Sequence, residues 1–180
     1  MKKEVCRAVL LVSVLTFCGI YPVQAAGKNM AQEMNLAAVA NAKSAVEEAR
    51  SAIQQGKDLV KKLERNKVLI NEVKQVLQSA AKSWSEALKA LESAKTTVAG
   101  ISSASGQTQA NKLKMLAELD ARVAEACAKL VRTDMYFVEA AAAGRTQSLS
   151  IIRDAIADAE AAAAQVRFNR EQVKSLLAGK

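Results

Sequence analysis

The stretch Glu64 to Asn71, ERNKVLIN, lies where a regular hydrophobic repeat slips out of phase. Apolar or small residues recur every seven positions at Ala42, Ala49, Gly56, Leu63, Ile70, Leu77, Trp84, Leu91 and Val98. Up to Leu63 a companion series, Val39, Val46, Ile53 and Val60, falls three residues before each partner. Two such series make the a/d seam of a coiled coil. Beyond ERNKVLIN the companions become Val73, Ala80, Ala87, Ala94 and Ile101, three residues after each member. The seam has moved over by one row.

A slip of this kind changes supercoiling without stopping a helix. Glutamate, arginine and lysine are good helix formers, and Asn66 is only mildly unfavourable. The expectation is therefore an all-α protein built as an elongated antiparallel helical hairpin, a coiled-coil-like bundle of long alanine-rich helices. Its arms run near 31–100 and 108–178, each about 105 Å long at 1.5 Å per residue. The turn is Gly100 to Gln107, small and polar and bounded by glycine. With that turn centred near residue 104, Trp84 falls opposite Ala124, and Asn66 falls opposite Ala142, two residues before Gly144. The two irregular points then bend together or not at all, and the alternative is a compact four-helix bundle bending near Asn66 and Gly144.

The last arm has the most regular seam: Leu149, Ile152, Ile156, Ala159, Ala163, Val166, Arg170, Val173 and Leu177. Arg170 alone breaks it. Either its stem lets the head reach water, or it is buried and needs a carboxylate, for which Glu33 is the nearest candidate.

The chain opens with Lys2, Lys3 and Arg7, an apolar run from Ala8 to Ile20, and Val23-Gln24-Ala25. A basic start, a short apolar segment and small residues before the cut are what a secretory signal peptide needs. The run falls short of the roughly 20 residues that span a bilayer. Cleavage near Ala25 would leave a single helical domain, 26–180, secreted or extracytoplasmic. Setting aside Lys2, Lys3, Arg7 and Glu4 from 26 basic and 18 acidic residues leaves 23 and 17, a net charge of +6. That remainder holds 34 alanines, no proline and no histidine. Alanine is the strongest helix former.

The inventory for chemistry is poor. No imidazole exists to activate a nucleophile, no metal-ligand spacing occurs, and the glycine-bounded turn lacks the lysine of a phosphate-binding loop. The expectation is no enzyme, with no catalytic, cofactor or metal residues. Cys127 lies on the stripe Leu113, Leu116, Val123, Leu130, where a thiol behaves as a small buried hydrophobe. The sharper reading is an interchain disulfide in an oxidising compartment. Lys57, Lys61 and Arg65 form a row at four-residue spacing that could meet an anionic partner, although Asp58, Glu64 and Glu72 are interleaved as on an ordinary solvated face. The row carries no interleaved aromatics for bases to stack on, which argues against nucleic acid. Trp84 is a seam residue and belongs to the core. Tyr136 lies off the stripe and is the better exposed contact residue.

The leader ending at Ala25 and alanine-rich runs such as DAIADAEAAAAQV (154–166) give the chain a general character that resembles the alanine-rich helical-bundle surface proteins of trypanosomes. That resemblance implies export and a role at a surface, and it transfers no individual residue. The functional expectation is an exported, non-enzymatic protein acting by protein interaction, as a spacer, adhesin or receptor-like module. Its partner would be a protein, with self-association through the alanine runs 140–143 and 161–164 as a further expectation. Two alternatives stand beside it: a soluble periplasmic chaperone or secretion accessory, and a peripheral binder of anionic membranes.

Overall fold

The computed structural model describes residues 28–61, 63 and 67–178. The signal sequence, its cleavage near Ala25, Arg65 and Asn66 lie outside the described residues. All regular structure within them is helical: α1 (Lys28–Val60), α2 (Lys67–Ile101), α3 (Gln107–Ala142), a 3-10 turn (Thr146–Ser148) and α4 (Leu149–Leu177). The four helices pack against one another as an all-α bundle.

The bundle corrects the expectation of uninterrupted arms. α1 stops at Val60, and the Leu63 amide donates to the Val60 carbonyl at 2.9 Å while the Leu63 side chain is buried. α2 then runs back along α1: the Trp84 indole N–H donates to the Val46 carbonyl at 3.3 Å, and Gly56 lies beside Leu77. The phase slip is the point at which the facing helix changes. Before it, α1 buries Ala42, Val46, Ala49 and Ile53; after it, α2 buries Val73, Ala80, Ala87, Ala94 and Ile101. A two-stranded seam so rich in alanine removes little apolar surface from water. Folding over lets each helix bury a wider face, and burial contributes roughly 25 cal/mol per Å².

The second reversal follows from Gly144. Its φ of +70° is left-handed, the Gly144 amide donates to the Ala141 carbonyl at 3.1 Å, and the Arg145 amide reaches the Ala140 carbonyl at 2.9 Å. Those two bonds are the Schellman pattern that closes helix C-termini, with glycine at the left-handed position. The first and second reversals lie at the same end of the bundle, because Gly56 of α1 touches Met135 of α3.

α3 is the central helix. It approaches all three others, whereas among the described residues no Cα of α4 comes within 8 Å of one in α1 or α2. Along the α2–α3 hairpin, Ser93 bonds Asp120 and Gly100 sits beside Leu113, five residues further along α3 than a turn centred on 104 would give. Trp84 therefore packs on α1 and not opposite Ala124. α1 runs parallel to α3, with Glu48 bridging Arg132 at 2.9 Å. The fully buried side chains include Phe137, Val131, Val138 and Cys127 of α3 and Val73 of α2.

Candidate functional site

Two places on the bundle gather chemistry. One is an open cleft of about 330 Å³ at the Gly144 corner, lined by Tyr136, Glu139 and Ala140 of α3, Arg145, Ser148, and Ile152 of α4. It exists because the Schellman turn swings the chain away from α3 before α4 returns along it. Tyr136, 55% exposed, stands on its rim, as its place off the apolar stripe predicts. A half-exposed phenol beside a guanidinium, a carboxylate and an isoleucine offers an apolar ring with polar handles of both signs.

The other is the seam where α4 lies over α2 and α3. Its α2 side carries Glu72 and Glu86, and its α4 side carries Arg153 and Arg167. Arg153 grips Glu72 with two bonds, 2.6 and 2.9 Å long, and Arg167 pairs with Glu86. The two rungs share one register and stand fourteen residues apart on both helices. Hydrogen bonds from Arg153 hold the Glu72 carboxyl below its ordinary value, against a smaller opposing effect of burial. The Arg153 guanidinium also lies 5.4 Å from the centre of the Phe137 ring.

Beneath the rungs α3 presents Asp120, Cys127 and Asp134, one every seven residues. Asp120 is buried and fully partnered, accepting from Ser93 Oγ at 2.5 Å and Arg170 Nε at 2.6 Å. Burial disfavours the charge on Arg170, but its bonds to Asp120 and Glu171 outweigh that and raise its pKa. The partner of Arg170 is Asp120 and not Glu33, which is exposed. Cys127, at 0% exposure, is a free thiol whose pKa burial pushes up. A sulfur so enclosed meets no second chain while α4 stays seated.

Asp134 differs from Asp120 in every respect except burial. It is 1% exposed, and neither carboxyl oxygen has a hydrogen-bond partner. Burial, reinforced by the Glu160 charge on α4, raises its pKa to about 7. Where Arg170 answers Asp120, the chain sets an acid against an acid.

Lys57 and Lys61 are exposed near the end of α1, and Lys61 pairs with Asp58 at 2.9 Å. They share the Gly144 end of the bundle with Tyr136 without lining the cleft. Trp84 is half-buried against the core. Asp120 and Asp134 flank Cys127 at heptad distance on an otherwise apolar stripe, a pattern that a count of apolar periodicity passes over. No cluster of three or more metal-ligating side chains occurs among the described residues, and no described helix is long and apolar enough to cross a membrane.

No family model, curated protein or solved structure matches this chain. Its site has to be read from its own geometry.

Proposed function

We propose that this chain is an exported, non-enzymatic helical module that works by binding a protein partner, with the Tyr136 cleft as its contact. The observation that supports this reading is Tyr136 itself, exposed on the rim of a cleft that also offers Arg145 and Ile152. Tyrosine and arginine are enriched among the residues that carry interface energy, and tyrosine supplies a large contact area with only two side-chain torsions to order. Export rests on the basic-apolar-small pattern that ends at Ala25. The likeness in character to trypanosome surface proteins agrees with both. A holding chaperone would need an open apolar inner face, whereas α1, α2 and α3 turn theirs toward one another.

The test is a photo-crosslinking amino acid placed at position 136, with position 89, an exposed lysine on α2, as the control. In cells that make the protein, position 136 should give a discrete protein adduct that position 89 does not. Equal, diffuse labelling from both positions would remove the cleft as a contact. Tyr136→Ala should abolish the native complex while changing stability by no more than about 0.5 kcal/mol, as exposed positions do.

A further inference from the structure

α4 is the most weakly seated helix of the bundle. Its fully buried residues are Leu149 and Ala163, against fifteen on α3. The remainder of its attachment is half-buried seam residues, the two Arg–Glu rungs, the Arg170–Asp120 pair, and a 3.5 Å contact from the Lys112 ammonium to the Leu177 carbonyl. The rungs at Arg153 and Arg167 leave one heptad position between them, and that position is Glu160. The unpartnered carboxyl of Asp134 lies on the α3 face that also carries Asp120 and Cys127, within the electrostatic reach of the exposed Glu160.

We propose that α4 is a pH-controlled latch on the α1–α3 core, closed while Asp134 carries its proton and released as Asp134 ionises, so that pH governs access to the α2–α3 seam.

The surroundings of Asp134 leave its charge unanswered on each side. From α4 the charge that acts on it is that of the exposed Glu160. From α2 the register of the two rungs carries Ser79, uncharged, to the same level. The nearest cations on that seam, Arg153 and Arg167, are each held by their own glutamate, and neither Asp134 oxygen accepts a bond from them. From α1 the register of Glu48 with Arg132 brings Arg50 level with Asp134, but Arg50 is exposed and no bond reaches either Asp134 oxygen. Arg132 precedes Asp134 by two residues, about 200° around the helix, and so projects from the opposite side of α3. An ionised Asp134 would thus be buried without a hydrogen-bond partner and within the field of a second anion. Buried charges without partners are relieved by opening or by protonation, and opening here requires moving only the helix with the fewest buried side chains. The inference does not depend on the partner-binding reading.

The linkage has a definite sign. The carboxyl titrates near 7 with α4 seated and near its ordinary 3.8 once solvated. The closed state is therefore favoured below that lower value, and the advantage is lost as pH rises toward 7. The opening equilibrium should climb up to about tenfold per pH unit across that window and level off above it.

Cys127 reports the event, because it lies beneath α4 with no exposed surface. Alkylation at the Cys127 peptide, read by mass spectrometry in the full chain, should be compared with Asp134→Asn at each pH, which cancels the intrinsic ionisation of the thiol. Trp84 fluorescence, reporting α1–α2 packing, is recorded alongside. The ratio of wild-type to Asp134→Asn labelling should rise more than tenfold from pH 5 to 7 while Trp84 emission stays constant. Glu160→Gln should move the rise to lower pH without abolishing it. A ratio flat with pH would overturn the latch. So would a shift of Trp84 emission in step with labelling, since the whole bundle would then be loosening.

Discussion

Gly56 lies where α1 comes close to both α2 and α3. A Cβ there would stand 2.6 Å from Met135 Sδ and 3.1 Å from Leu77 Cδ2. Met135 is flexible enough to yield to one methyl group, so Gly56→Ala should be close to neutral, its steric cost offset by the better helix propensity of alanine. Gly56→Val forces two further methyls into a filled space and should cost about 2 kcal/mol in chemical denaturation. Gly144 tests another property, since its surroundings are open and its φ is +70°. Gly144→Ala should cost about 1 kcal/mol through backbone strain alone. Asp134 reverses the usual behaviour of a carboxylate. As its folded pKa is raised, it favours folding at low pH and ceases to do so as pH approaches 7. Glu72, with its pKa lowered, contributes above the ordinary carboxylate range and loses that contribution as pH falls through it. Stability should therefore peak in mildly acid solution, and Asp134→Asn should remove the decline toward neutral pH while leaving the acid limb in place, as urea midpoints across pH would show.

At the scale of the element, the sequence carried the helical faces well and their partners poorly. Every member of the α4 series from Leu149 to Leu177 is buried or half-buried, because helical periodicity is a local property that a single chain displays directly. That Arg170 answers Asp120 depends on a register fixed by two intervening turns, which no spacing rule supplies. The same holds for the seam acids, whose heptad placement was visible but whose shared opposite face was not. The α4 seam should also show how little exposed pairs hold. Arg167 and Glu86 remain 40% and 33% exposed, and a double-mutant cycle on them should return a coupling below about 1 kcal/mol that shrinks with added salt. Arg170→Met strands the buried Asp120 with Ser93 alone and should cost more, about 2–3 kcal/mol.

At the scale of the molecule, the two reversals had very different legibility. Gly144 ends an alanine run, which is where a glycine cap can stop a helix. The reversal between Val60 and Lys67 has neither glycine nor proline, and nothing local in Lys61 to Asn66 demands it. It is imposed by the core, since the apolar faces of α1 and α2 bury more against α3 and each other than either could along a two-stranded rod. The pairing of the two points was legible all the same, because a bend at one alone would leave half the chain without a packing partner. Small-angle scattering from the monomer addresses this directly. The longest described helix has 36 residues, about 54 Å at 1.5 Å per residue, so the folded bundle predicts a helical body about 55–60 Å in maximum dimension, whereas a value near 105 Å would mean that the chain runs straight through ERNKVLIN.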